Sequence, residues 1–181
     1  MEPQPTLDTP RLTLRPFTAA DAPMVQRLAG ARAVADTALN IPHPYPDGAA
    51  EAFIATQQED YAAGVGATFA VVGRASGALV GACGIRITPR FAHAEMGYWI
   101  AEHAWGRGYA TEAARAVLGY ALGALGLHRV FAHHLTRNPS SGRVLQKVGM
   151  RREGLLRGHV RKGDVFEDVE IYGVLAEDFT P

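Results

Sequence analysis

Between Glu95 and Leu125 the apolar pattern of the chain changes its period. Glu95 to Ile100 has the character of a strand, whereas Ala113, Ala114, Val117, Ala121 and Leu125 recur at the spacing of a helix, and the two are joined by Ala104-Trp105-Gly106-Arg107-Gly108. Any fold for this chain must hand a strand over to a helix through a glycine-containing loop. Glycines free the backbone to turn successive N–H groups into one concavity, and a helix start adds unpaired donors and the positive end of its dipole. Such a segment suits a pyrophosphate, although a tight turn before a helix accounts for the same residues when the loop is taken alone. No Lys-Ser or Lys-Thr pair follows the glycines, which excludes the nucleoside-triphosphate loop; a third glycine and an opening strand-helix-strand unit are missing, which excludes the dinucleotide fingerprint. A different pyrophosphate-bearing ligand remains.

The rest of the pattern surrounds that handover. Arg11 to Phe17 alternates as a short strand, and Thr18 is positioned to cap a helix carrying Val25 and Leu28. A loop with Pro42, Pro44 and Pro46 follows, then Asp47 as the expected cap of a second helix with Phe53, Ile54 and Tyr61 on one face. Thr68 to Val72 and Leu79 to Ile85 read as strands joined by a turn at Ser76-Gly77, and Glu95 to Ile100 completes an antiparallel meander. Beyond the long helix, His128 to Leu135 predicts a strand and Asn138-Pro139 opens a helix that Gly149 ends. Two further strands flank a turn at Lys162-Gly163-Asp164. At 181 residues, with no repeat or linker, the expectation is one domain spanning 1–181.

Charge and cysteine usage narrow the partners. Lys+Arg and Asp+Glu both number 18, so there is no cationic excess for a phosphate backbone or an anionic bilayer, and neither nucleic acid nor membrane is expected as a partner. Arg143, Lys147, Arg151, Arg152, Arg157, Arg161 and Lys162 do crowd together, as either a solvated face or a polyanion site. The lone Cys83 lies in an apolar run and, with no membrane-length segment, suggests a reducing, cytoplasmic setting. His133 and His134 are adjacent on a strand and must point to opposite faces, so no metal is expected there, although one of them could line a substrate cleft.

Four blocks, Glu95-Met96-Gly97-Tyr98-Trp99-Ile100, Trp105 to Ala113, Asn138-Pro139-Ser140-Ser141 and Lys147-Val148-Gly149-Met150, stand in an order and spacing that resemble the GCN5-related N-acetyltransferase (GNAT) superfamily. The likeness runs from Thr9-Pro10-Arg11-Leu12 to Tyr172 and is nearest to the branch similar to ribosomal-protein N-terminal acetyltransferases of the RimJ/RimL kind. It implies an α/β (α+β) fold with a mixed, mostly antiparallel sheet of about seven strands, a splayed strand pair that binds acyl-CoA, and about four flanking helices. It also implies acetyl-CoA as cosubstrate and no metal.

Carried over residue by residue, the resemblance assigns Trp105, Gly106, Arg107, Gly108, Tyr109, Ala110 and Thr111 to the coenzyme pyrophosphate, with Trp105 standing where the superfamily usually has Gln or Arg. Backbone groups near Tyr98, Trp99 and Ile100 would pair with the pantetheine arm and polarise the thioester carbonyl. Asn138 matches an asparagine beside the pantetheine, and serves equally well as the N-cap ahead of Pro139. Ser141 matches a serine near the coenzyme sulfur, where it could protonate the leaving thiolate; Tyr172 and Tyr109 are alternatives, and a first-turn serine bonded to backbone is the plain reading. Glu95 sits where a carboxylate often acts as base, with an apolar cleft expected to raise its pKa; it could equally be a salt-bridged strand carboxylate.

The implied reaction is direct attack of a primary amine on the thioester, without a covalent enzyme intermediate, since Cys83 is expected to be buried and inert. A protein or peptide N-terminal α-amine is the favoured acceptor. A small amine such as an aminoglycoside, polyamine or amino acid is the alternative, as is a noncatalytic acyl-CoA sensor. Specificity would come from the loop at Asn40 to Asp47 and the turn at Lys162-Gly163-Asp164. A homodimer is also expected on the resemblance.

Overall fold

The computed structural model describes residues 3–180. Its centre is a mixed eight-stranded sheet in the order β1-β2-β3-β4-β5-β6-β8-β7. The strands are β1 (Leu7–Asp8), β2 (Leu12–Pro16), β3 (Gly66–Gly73), β4 (Leu79–Thr88), β5 (His93–Ile100), β6 (Arg129–Leu135), β7 (Arg151–Lys162) and β8 (Val165–Leu175). Five α-helices accompany them: α1 (Ala22–Ala29), α2 (Arg32–Thr37), α3 (Ala49–Ala62), α4 (Tyr109–Gly119) and α5 (Pro139–Lys147). The expected mixed α/β class, the meander of β3, β4 and β5, and the turns at Ser76-Gly77 and Gly163-Asp164 are all present. The strand count exceeds the expected seven because Leu7–Asp8 pairs with Leu14 and Thr13 to add a two-residue edge. The helix count exceeds four because of α2.

Alternation along β3 shows how the sheet divides the core. Phe69 and Val71 join Leu12, Leu14, Met96 and Val130 beneath α4 and α5, while Ala70 and Val72 join Val25 and Ile54 beneath α1 and α3. Each fully buried leucine or phenylalanine of this set contributes about 1.5–3 kcal/mol. Phe53 follows Ile54 into the α1/α3 side, but Tyr61 packs on the other cluster, so these three do not share one face.

Several caps act as expected and one does not. Thr18 donates its N–H to Asp21 at 2.8 Å, and Asp21 is held by Arg15 through two 2.8 Å bonds, which fixes the entry to α1 through a short 3-10 turn. Gly149, at φ +90°, ends α5. The cap of α3 is Gly48 rather than Asp47, whose carboxylate instead accepts from Gln26. The unforeseen α2 has no side-chain cap; its far end is held by Lys162, whose ammonium donates to the carbonyls of Ala35 at 2.7 Å and Ala38 at 2.5 Å.

One topological feature positions the site. β5 and β6 are parallel neighbours, yet they pair only from His93–Arg129 to Glu95–Phe131. Past Glu95 they diverge, so Met96 to Ile100 face a gap on the β6 side while their other edge stays paired with β4. α4 begins beside the end of β5, and α5 begins just after β6.

Candidate active site

The gap opens into a cavity of about 990 Å3 walled by β3, β4, β5 and β6, by all five helices and by the segment after α2. At one end lies the glycine loop. Gly106 and Gly108 have φ of +74° and +79°, a region that favours glycine, and the left-handed turn aligns the backbone entering α4. From Gly106 to Thr111 no backbone N–H makes a hydrogen bond among the described residues; the first N–H of this run to find a partner is that of Glu112, on Gly108. Arg11 clamps the loop from outside. Its guanidinium donates to the Arg107 carbonyl at 2.8 Å and pairs with Glu112 at 2.6 Å, while Thr9 donates to the same carboxylate at 2.7 Å. The loop carbonyl is thus drawn toward Arg11 while the N–H donors stay unengaged.

Trp105, Gly106, Gly108, Tyr109, Ala110 and Thr111 all line the cavity, as do Tyr98, Trp99, Ile100, Asn138, Ser141 and Glu95. Arg107 is the exception, since only its carbonyl is engaged and it is turned to Arg11. Trp105 has a structural task of its own. Its indole N–H donates to the Ile100 carbonyl at 2.6 Å, tying the loop to the end of β5. That bond engages the Ile100 carbonyl, one of the backbone groups in the stretch expected to pair with a pantetheine arm. Asn138 acts as the N-cap of α5, accepting from Ser141 N–H at 3.4 Å, and its amide also reaches the Thr37 carbonyl at 3.4 Å.

Midway along the cavity, the Ser141 hydroxyl lies 2.8 Å from the Tyr98 hydroxyl, which is also 3.2 Å from the Ser141 carbonyl. Burial pushes the Tyr98 phenol well above its ordinary range, so it stays protonated and can donate. The sequence points to Tyr98 only for its backbone, with Tyr109 and Tyr172 as the alternative tyrosines near the sulfur. Tyr172 instead bonds Glu170 and Gln146, and Tyr109 lies under the Arg11 guanidinium. The missed signal was alternation, because Tyr98 shares the parity of the buried Ala94 and Met96 and so points toward the α5 side.

At the other end, Glu95, on the last paired rung of β5 and β6, accepts a 3.0 Å hydrogen bond from Nδ1 of His133, two residues beyond its rung partner Phe131. His133 holds the Glu95 carboxyl below its ordinary pKa, against a burial effect in the opposite direction. The expected upward shift is therefore reversed, because the cleft supplies an imidazole partner as well as apolar walls. His134 points to the other face, bonding the Leu135 carbonyl through Nδ1 at 2.8 Å. Its Nε2 lies 3.3 Å from Glu170 without hydrogen-bond geometry and is closely covered by α5 at Gly142, where a Cβ would sit 2.7 Å away. Among the described residues no group of three or more His, Cys, Asp or Glu side chains could hold a metal ion. Burial raises the Cys83 thiol to about 12, which leaves it a poor nucleophile.

The basic cluster of the sequence is divided by the fold. Arg143 and Lys147 face the cavity from α5, whereas Arg152 pairs with Glu170, Arg161 with Asp164 and Arg151 with Asp178. A second cavity of about 600 Å3 adjoins the first through shared walls at Leu39, Asn40, Ile41, Pro42 and Arg137. No helix among the described residues is long and apolar enough to cross a membrane.

Comparison with known proteins points the same way as this geometry. The sequence profile of the acetyltransferase (GNAT) domain matches residues 11–151. Uncharacterized N-acetyltransferase YnaD of Bacillus subtilis is 38% identical over 85 residues, 47% of this chain and 50% of that protein. The [Ribosomal protein uS5]-alanine N-acetyltransferase of Escherichia coli is 27% identical over 86 residues, 48% of this chain and 44% of its own. The chain spans about half the length of the curated relatives it matches. Among solved structures, Mycobacterium smegmatis RimJ in complex with CoA-disulfide superposes with a TM-score of 0.83 at 25% identity, over 96% of this chain and 87% of that one.

Proposed function

The chain belongs to the GNAT acetyltransferase domain family, and from that premise we propose that residues 1–181 form one acetyl-CoA-dependent N-acetyltransferase domain acting on a primary amine, with a polypeptide N-terminal α-amine as the acceptor. The observation that carries this reading is the junction of two features: a strand pair that parts after Glu95, and a run of unengaged N–H groups from Gly106 to Thr111 at the mouth of the same cavity. The residues fit the cosubstrate. Backbone donors and the α4 dipole hold the pyrophosphate, with Arg143 and Lys147 as cations on the facing helix. Tyr98, Trp99 and Ile100 flank the gap for the pantetheine arm, and Asn138 fixes the start of α5 beside it.

Acetyl-CoA supplies an activated acyl group, and the chain supplies position and proton traffic. The Tyr98–Ser141 hydroxyl pair stands ready to protonate a departing thiolate. The Glu95–His133 pair receives the proton that the amine gives up. An α-amine, with a pKa near ~8, needs only modest help to become neutral, whereas a lysine at about 10.4 needs much more. The adjoining second cavity favours a polypeptide over a small closed substrate, because the two cavities share walls and together leave room for residues beyond the first.

The cytoplasm, where acetyl-CoA meets a reduced Cys83, is the proposed setting, and the edge strand β7 is the proposed pairing surface of a homodimer. Light scattering at micromolar concentration tests the latter, and a monomeric mass removes it. The function itself is tested by thiol release from acetyl-CoA across N-terminal peptides, polyamines and aminoglycosides. Peptide-dependent release supports the reading. Release with small amines alone shifts the acceptor class, and binding of acetyl-CoA without turnover of any amine replaces the enzyme with a sensor.

A further inference from the structure

His133 has a 13% exposed side chain in the cavity wall, and its ring is fixed on three sides. Nδ1 is 3.0 Å from Glu95, Phe131 meets the ring edge-on at 5.6 Å, and His159 of β7 stacks on it at 5.8 Å with planes 29° apart. The Glu95 carboxylate, 42% exposed, can only accept while it is ionised, so Nδ1 must carry the proton. A neutral His133 then has its lone pair on Nε2, which makes no hydrogen bond among the described residues. The charged and titratable groups around the pair come from every neighbouring strand: Arg86 on β4, His93 on β5, Arg129 on β6 bound to Glu153 of β7, and His159 on β7, while β8 places Ile171 opposite His133.

Resting on the acetyltransferase reading above, we propose that His133 Nε2 is the group that takes the amine's proton, and that Glu95 is a positioning residue that fixes its tautomer, with the stacked His159 holding the plane of the ring. As the amine nitrogen forms its bond to the acyl carbon and the carbon–sulfur bond breaks, the nitrogen's proton passes to Nε2. The Ser141 hydroxyl, or Tyr98 through it, gives a proton to the thiolate, and both groups are restored by solvent. The atoms balance to amide plus free thiol. The division of labour follows from geometry: the Glu95 carboxylate is committed to Nδ1, whereas Nε2 in the cavity wall makes no hydrogen bond among the described residues, and the low-held Glu95 carboxyl points the same way.

The test compares pH profiles of kcat/KM for the wild type, His133→Asn and Glu95→Gln, using the best peptide acceptor. The wild type is expected to rise with pH through the ionisation of its general base. His133→Asn is expected to lose that ionisation and about 100-fold in kcat/KM at pH 7. Glu95→Gln, which can still accept from Nδ1, is expected to keep the ionisation with a loss of about tenfold, and both variants are expected to bind acetyl-CoA as the wild type does. An ionisation retained in His133→Asn and abolished in Glu95→Gln makes Glu95 the base and overturns the inference while the enzyme reading stands. Acetyl-CoA binding without turnover of any amine overturns both. A readout independent of turnover is the nitrogen-15 spectrum of the wild-type imidazoles: a neutral His133 protonated at Nδ1 supports the assignment, and one protonated at Nε2 ends it.

Discussion

The two ends of the cavity are built from different material. The donor end, from Gly106 to Thr111, offers backbone N–H groups arranged by two left-handed glycines and a helix start. The acceptor end is made of side chains from separate strands: Glu95 on β5, His133 on β6 and His159 on β7. A backbone site tolerates changes of side chain, and Trp105 uses its side chain to tie the loop to the Ile100 carbonyl. A side-chain site depends on register, since a slip of one residue would turn His133 to the opposite face, where His134 now lies under α5.

This contrast can be broken by substitution at each end. The largest effect is expected for Glu95→Ala, which frees the His133 tautomer and removes the carboxylate. Initial rates at pH 7 should show kcat/KM down by up to about 100-fold, while calorimetry finds acetyl-CoA affinity unchanged within about twofold. A matching fall in acetyl-CoA affinity would mean that the two ends are not separable. Because the folded pKa of Glu95 is depressed, its contribution to stability is present above its ordinary value of 4.5 and is lost as pH falls through the lower folded value. Acid melts of the wild type and this variant should therefore converge at low pH.

Next in size is Gly108→Val. A β-branched residue at φ +79° costs on the order of 1–3 kcal/mol, so the dissociation constant of acetyl-CoA should rise by roughly 10- to 100-fold, with kcat at saturation falling less. Ser141→Ala sharpens the middle of the cavity, where Tyr98 can still donate to the residue 141 carbonyl; kcat should fall about tenfold at constant acetyl-CoA affinity. The smallest change is expected for Lys162→Met. Loss of the bonds to Ala35 and Ala38, worth about 1 kcal/mol each, should loosen α2, raise the peptide KM a few-fold and speed amide exchange there, leaving acetyl-CoA binding untouched.

The donor end was legible in the sequence because its information is local. Glycines, a helix start and the change of apolar period lie within one stretch from Glu95 to Leu125, and all of the residues assigned to it reach the cavity except Arg107. Even the Arg11–Glu112 clamp joins two short motifs of the resemblance. What escaped was whatever needs a distant partner. α2 has no cap of its own and is held by Lys162 from the far end of the chain. The direction of the Glu95 shift depends on His133, thirty-eight residues away. Tyr98 was seen for its backbone alone because its hydroxyl finds Ser141 only after α5 packs.

The sequence by itself determined the meander, the longer helices and the glycine loop that joins them, but neither β1 nor α2, since periodicity and backbone conformation are local properties that need several residues to show. Only the tertiary structure decided where β5 and β6 part, which tyrosine meets Ser141, and which face of β6 offers its imidazole to Glu95. Those depend on strand pairing and helix packing, in which residues far apart in sequence fix each other's geometry.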